Sequence, residues 1–480
     1  MRQSRIMSPR SKRVALLAAC TTSLGLLSGC GAATVPPPAH ELPVPPEWIE
    51  TSQAPVSLDV AQYWHLLDDP LLTQFVEAGL ANNLDLAQSA ARLDQARAQL
   101  NGARAGFLPQ VSGRSRAQQD LGDFAADQPQ VSLGADASWE LDLFGRISSN
   151  VAASQADFAA AGYSLADLQR LIAGQVALAT IRARATALQL DIARDTLGYQ
   201  DDNLQIARWR VQAGLVSSLD VEQARSQRAQ TAATIPQLES SLAATANGIS
   251  TLIGEPPGRV LELLKPPAAI PTPPDVAGFE APAEVLRRRP DVRGAEASLV
   301  ASMARIQVAR AQLLPAIQLG GTISTASLGL GTLFDVITGG LFGSLSQLIF
   351  DGGRTRAQID SARAQAEGSL AAWRQSILGA LEDVETSAVD LQTSRERVAI
   401  YVEALDAANN SALLTRSQYQ AGLTDFRNLL TSENQLLSAR NAQVSAEADR
   451  ASAFVRLTQA LGGGWAPTDY PLPLSDGTQP

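Results

Sequence analysis

Side chains able to do covalent or acid–base chemistry are scarce. The chain has two cysteines, Cys20 and Cys30, and two histidines, His40 and His65, all near its start. Two such histidines supply neither the converging ligands of a zinc site nor a Ser-His-Asp triad. His40 and His65 read as solvated surface residues, so no catalytic residue and no metal site is assigned. No phosphate-cradling glycine loop is present either, and the chain is expected not to be an enzyme. That leaves the thiol of Cys30.

Residues 1–29 carry Arg2, Arg5, Arg10, Lys12 and Arg13 and no acid, and the apolar run Val14 to Leu27 follows. A cationic start before a short apolar run is the layout of a secretory signal, and the run is short for a bilayer span. It ends in Leu27-Ser28-Gly29-Cys30, which resembles a bacterial lipobox. That resemblance implies cleavage before Cys30, an N-acyl chain on its amine and a diacylglycerol on its sulfur, with no other cofactor expected. Several acyl chains anchor stably where one is marginal. The plainer alternative is an ordinary signal with an incidental thiol. Cys20 leaves with the signal, so the mature chain has no cysteine pair to oxidise. Removing the five basic residues changes the charge from 38 − 48 to 33 − 48, or −15, which speaks against a nucleic-acid partner. No run of 18 apolar residues exists, so any membrane crossing must use strands.

The elements that must position everything else come in two copies. Asn83-Leu84-Asp85-Leu86 pairs with Arg289-Pro290-Asp291-Val292, and Phe107-Leu108-Pro109 with Leu313-Leu314-Pro315, both at an offset of 206. Gly145-Arg146 aligns with Gly353-Arg354, and Gln212-Ala213-Gly214-Leu215 with Gln420-Ala421-Gly422-Leu423, now at 208. The two extra residues lie at Asp351-Gly352. A constant offset with one local shift argues for a duplicated unit. The organisation predicted is a signal over 1–29, an extended N-terminal segment over 30–63, a first repeat over 64–254, a proline-rich extended linker over 255–280, a second repeat over 281–464 and a tail over 465–480.

Each repeat changes its period along the way. Residues 74–106 and 292–313 read as helices ending before Leu-Pro. Val131, Leu133, Ala135, Ala137, Trp139, Leu141 and Leu143 then alternate with polar residues, the mark of a strand with one dry and one wet face. Val111 to Gln119 is its partner, turned through the acidic stretch Asp120 to Asp127. Ile317 to Ser327 and Leu341 to Phe350 repeat the pair around a glycine-rich loop. Proline-free stretches from Ile147 to Ala213 and from Arg354 to Ala421 predict single helices roughly 100 Å long. Gly214 and Gly422 stop them, and shorter helices return over Ser217 to Leu252 and Thr424 to Leu461.

The fold class is therefore mainly α with a small antiparallel β part, internally duplicated. Four strands cannot enclose a water-filled lumen or satisfy both edges in lipid. If they span, the chain must oligomerise, and a homotrimer would give a twelve-stranded barrel continuous with a long periplasmic helical barrel.

With these residues the chain resembles the TolC-like outer membrane factors, and within them the lipidated drug-efflux, NodT-type branch. The resemblance covers Trp64 to Gly464. It is carried by the lipobox, Trp139-Glu140-Leu141-Asp142-Leu143-Phe144-Gly145-Arg146, Phe350-Asp351-Gly352-Gly353-Arg354, and the paired turns Val211-Gln212-Ala213-Gly214-Leu215 and Tyr419-Gln420-Ala421-Gly422-Leu423. It implies an outer-membrane channel subunit of a tripartite efflux pump, passively conducting small toxic compounds. Its implied partners are outer-membrane lipid, a periplasmic adaptor (membrane fusion protein) and an inner-membrane transporter of the proton-driven RND type. Adaptor contacts are expected at the hairpin tips, on Gly214, Leu215, Val216, Ser217, Tyr419, Gly422 and Leu423. The periplasmic gate candidates are Asp220, Asp425, Asn428 and Thr431; Asn428 and Thr431 stand where relatives often carry carboxylates. Alternatives are a channel for type I protein secretion and a pore-less lipidated periplasmic coiled-coil scaffold.

Overall fold

Alanine and proline set the lengths of the helices. In the computed structural model, which describes residues 45–49, 60–119, 121, 129–275, 278, 280–466, 468, 470 and 472, the first repeat runs α1 (Pro70–Asn82), α2 (Leu84–Ala105), β1 (Gln110–Gln118), β2 (Gln130–Leu141), α3 (Arg146–Gln212) and α4 (Ser218–Leu252). A short helix, α5 (Arg259–Leu264), follows. The second repeat runs α6 (Pro282–Arg288), α7 (Pro290–Ala311), β3 (Ala316–Leu328), β4 (Ile337–Ser346), α8 (Arg354–Gln420) and α9 (Phe426–Ala460). Cys30 and His40, and the acidic turn 120–127 apart from Leu121, lie outside the described residues. His65 is on the surface, 3.8 Å from Glu77.

Helices α3 and α8 have 67 residues each, roughly 100 Å at 1.5 Å per residue. Alanine has the best helix propensity and lets neighbouring backbones approach. Ala153, Ala156, Ala159, Ala166, Ala173, Ala177 and Ala183 form the buried seam of α3. Both long helices start on an aspartate. Asp142 accepts from the amides of Ile147 and Ser148 at 2.8 and 2.7 Å, and Asp351 accepts from the Thr355 amide at 2.7 Å. A carboxylate there satisfies otherwise orphaned N–H groups and faces the positive end of the dipole. The turn before each helix uses a left-handed glycine, Gly145 or Gly353.

Two short helices stack along each long one, and the two stacking joints are equivalent. At the first, Asn83 caps α2 through its carbonyl oxygen and donates from Nδ2 to the Leu252 carbonyl at the end of α4, at 2.8 Å. At the second, Arg289 donates to the Ala460 carbonyl at the end of α9, at 3.1 Å. Leu252 and Ala460 are themselves 208 residues apart. Arg289 also binds Asp291 at 2.6 Å and Asp383 at 2.9 Å. Burial alone would raise the Asp291 carboxyl, but the bonds to Arg289 and its charge outweigh burial and hold it below the ordinary range.

The main core is a belt around these joints. Tyr63, Trp64, Leu67, Leu72 and Phe75 pack on Ile172, Val176 and Ile181 of α3, with Ile249 of α4 and Phe454 and Leu457 of α9. Asp69 caps α1 and meets Arg184 of α3 at 3.2 Å in a buried ion pair.

Three expectations are corrected. The helix expected over 74–106 begins at Pro70 and breaks at Asn83, whose extended backbone and side-chain cap start a new helix. The linker is not wholly extended, because Val260 and Leu264 bury one face of α5 in the belt. Strand β4 begins four residues before Leu341 and ends at Ser346, so the glycines at 339 and 340 are inside it. Helix α4, by contrast, keeps its expected span and continues through Pro236, although that residue cannot donate to the helical ladder.

Candidate functional site

Two regions bear on function: the sheet and the hairpin tips at the far end of the long helices. The sheet is antiparallel in the order β1-β2-β3-β4. Its register places Val111, Leu133, Ala135, Ala137, Trp139, Leu319, Ile323, Leu341 and Leu345 on one face, because directly paired residues point the same way. The opposite face carries Ser112, Arg114, Asp136, Ser138, Glu140, Gln318, Thr322 and Ser344. Arg114 pairs with Asp136 there, and Ser324 lies 3.3 Å from Thr338. Both edge strands are exposed along their whole length, and Leu341 on the apolar face is 93% exposed. Trp139 sits at the helix end of its strand and donates to the Phe107 carbonyl at 2.9 Å, as an interfacial aromatic does.

At the tips, each long helix ends in the same turn. Gly214 and Gly422 have φ of +70° and +76°, a conformation that favours glycine. The Leu215 amide donates to the Arg210 carbonyl, and the Leu423 amide to that of Gln418, both at 2.9 Å. This pattern satisfies the last carbonyls of each helix. Ser217 caps α4 by accepting from the Leu219 amide at 3.2 Å. Leu215 and Leu423 are 69% and 79% exposed, while Val216 is half-buried.

Tyr419 does not join them on the surface. It is 1% exposed and packs with Leu204, Ala224, Phe426 and Leu429 in a small core beneath the tips. Its ring lies under the Arg210 guanidinium at 4.5 Å, and Arg210 donates to its carbonyl at 3.0 Å. Tyr419 is thus an internal anchor between the hairpins, and the expectation that it contacts an adaptor is withdrawn.

The gate candidates separate in the same way. Asp425 caps α9, accepting from the Asn428 amide at 2.9 Å. Asp220 is half-buried in the first turn of α4. Asn428 and Thr431 are exposed, and Gln435 and Ser438 continue that exposed stripe at helical spacing, so it is polar and uncharged. The carboxylate that does tie elements together is one that pattern reading missed. Glu433, 9% exposed, accepts from Asn203 Nδ2 of α3 at 2.7 and 2.8 Å and from Arg416 of α8 at 3.1 Å. Its one sequence signal was a charge on the face of α9 that carries Phe426 and Leu429.

The outer membrane efflux protein model matches residues 76–255 and 281–463. The chain belongs to that family. Each matched segment contains one strand pair and one long helix, β1, β2 and α3 in the first and β3, β4 and α8 in the second. Nodulation protein T of Rhizobium leguminosarum bv. trifolii is 31% identical over 92% of this chain and 96% of its own length. The pyoverdine export outer membrane protein OpmQ of Pseudomonas aeruginosa is 31% identical over 95% of this chain and 97% of its own. The toluene efflux pump outer membrane protein TtgF of Pseudomonas putida is 31% identical over 83% and 84%. Among solved structures, the outer-membrane channel OprN aligns with a TM-score of 0.79 at 32% identity, covering 88% of this chain and all of that one. The TolC-like resemblance therefore holds, and the chain is an outer-membrane channel protein of an efflux pump. In such a channel the apolar sheet face meets lipid and the polar face lines the lumen.

Proposed function

We propose that the channel is a homotrimer whose twelve strands, three copies of four, close edge to edge in the outer membrane, and whose helices form the periplasmic conduit. The observation that carries this reading is the unpaired edges of β1 and β4. Backbone groups left open in lipid cost several kcal/mol each, so each edge needs another copy. Conduction is passive, and the energy comes from an inner-membrane transporter of the proton-driven RND type through a periplasmic adaptor. Exposed Leu215 and Leu423, with Gly214, Val216, Ser217 and Gly422 shaping their turns, are the adaptor contacts. The cargo is small toxic compounds, the class to which the toluene named for TtgF belongs.

Lipidation of Cys30 fits this placement. Trp48 is fixed in the belt, where its indole donates to the Glu280 carbonyl at 2.7 Å. The 18 residues from Cys30 to Trp48 extend at most about 60 Å. Helix α2, which covers the same height up to the sheet, is about 33 Å long. Acyl chains on Cys30 can thus reach the inner leaflet.

The test is conduction. Purified full-length protein should run as a trimer in mild detergent and open discrete channels in planar bilayers; an electrically silent monomer refutes the proposal. Asp220→Ala and Asp425→Ala together test whether carboxylates at the mouth bind cations. Because Asp425 is engaged as a cap and the exposed stripe is uncharged, the double variant should lose less than half of any divalent-cation block. Complete loss would place a carboxylate ring at the constriction.

A further inference from the structure

We propose that the loop joining β3 to β4 is a membrane-interface anchor, seating Phe334 and Val336 among the acyl chains of the outer leaflet. The inference rests on the apolar sheet face pointing at lipid and goes beyond the channel reading. The loop, residues 329–336, contains a short 3-10 turn at Leu330–Thr332 and folds back on its own strand. Its contacts fall on one side. Thr325 Oγ1 donates to the Leu333 carbonyl, and the hydroxyls of Ser327 and Thr332 bond to each other. By register, Thr325 and Ser327 share the face of Leu319 and Ile323, the lipid side. Leu333 is buried and Thr325 is 6% exposed, whereas Phe334 and Val336 are 67% and 61% exposed. The loop therefore laps over the outside of the sheet and leaves the luminal face clear.

Its height fits an interface. Thr325 lies nine residues beyond Ala316, the periplasmic end of β3. At about 3.3 Å per residue and a tilt of about 40°, that is a rise of about 23 Å, near the top of an apolar band about 25 Å tall. A lipid-facing hydroxyl at that level needs a partner, since no water is there to supply one. The loop gives one to each of Thr325 and Ser327. In water these hydroxyls would need none, and Phe334 and Val336 would have no reason to stand exposed in the loop that laps this face. The equivalent loop of the first repeat has a different composition, with Asp120, Asp123 and Asp127 within eight residues against the single Asp335 here. The duplicated loops have diverged in charge, three acids in one against a single acid in the other.

Full-length protein carrying Phe334→Cys, Val336→Cys, Leu341→Cys or Leu121→Cys, labelled with an environment-sensitive fluorophore and reconstituted in phosphatidylcholine vesicles, tests this. The signal of the unsubstituted protein is subtracted, and trimer formation is checked for each variant. Leu341 reports the lipid-facing band and Leu121 the acidic loop. Labels at 334 and 336 should be quenched by a shallow nitroxide lipid at least half as strongly as the label at 341. Iodide should quench them at least fivefold less than the label at 121. The proposal is overturned if iodide reaches 334 and 336 as it reaches 121. It is equally overturned if both quenchers are excluded, which would mean that protein covers the loop.

Discussion

Removing the Arg210 side chain should make the channel leak. Arg210 belongs to the first hairpin, yet it stacks on the Tyr419 ring at 4.5 Å and donates to the Tyr419 carbonyl at 3.0 Å in the second. A charged hydrogen bond of this kind is worth about 1.5–3 kcal/mol, and a cation–π contact at a partly exposed site about 0.5–1 kcal/mol. Arg210 is only half-buried, so solvent screening reduces the sum to about 1–2 kcal/mol per chain. If three protomers open together, Arg210→Ala shifts the closed-to-open balance by about 3–6 kcal/mol, roughly a hundred- to ten-thousand-fold. Arg210→Lys keeps the charge over the ring but loses the fork-shaped donor, and should fall between. The assay is single-channel open probability in planar bilayers, with entry of a large antibiotic into intact cells as the second readout. Helicity and trimer yield establish that the variant is folded. An open probability for Arg210→Ala equal to that of the unsubstituted channel would show that the two hairpins move as one body, and the reasoning would be wrong.

Three further outcomes are expected. Asp69→Ala removes both the cap of α1 and the partner of buried Arg184, and should lower stability by about 3–5 kcal/mol, read as a fall in the unfolding temperature of the trimer. The Asp291 carboxyl is held low in the folded chain, so its contribution is full above the unfolded value of about 3.9 and is lost as pH falls through the folded value. The stability difference between the unsubstituted protein and Asp291→Asn should accordingly be constant at neutral pH and shrink below about pH 4; a difference that grows on acidification contradicts the sign. Cys30→Ser should abolish labelling by a radioactive or clickable fatty acid, and persistent labelling would place the acyl group elsewhere.

Much of this architecture could be read from residue order because it rests on rules that act locally. Long stretches without proline gave both 67-residue helices to within a residue or two, and Gly214 and Gly422 marked their ends through the left-handed turn that glycine permits. Two-residue alternation gave β2 and the face it buries in lipid. What escaped was set by tertiary contact. Asn83 reads as one more polar helical residue until its amide is seen reaching Leu252. Tyr419 sits beside a surface turn in sequence, yet its ring points inward, under Arg210 and against Phe426, with ring centroids 5.5 Å apart in the latter pair. Glu433 draws its partners from 230 and 17 residues away, and no periodicity announces such a meeting. Strand β4 was misplaced because glycines at 339 and 340 look like a loop, although their pairing with Ile323 and Thr322 keeps them in the ladder.

The tip contacts have a consequence for symmetry. Duplication would surround a trimeric mouth with six near-equal blades, but the ties between blades are not duplicated. Position 418, the counterpart of Arg210, is Gln418, and position 225, the counterpart of Glu433, is Arg225. Both fastenings join the same two hairpins of one chain, Arg210 of α3 to Tyr419 of α8 and Asn203 of α3 to Glu433 of α9, and neither can be copied at the seams between chains, so widening cannot proceed like an iris. It passes through a three-lobed aperture that parts along the seams between chains while each pair of hairpins stays joined.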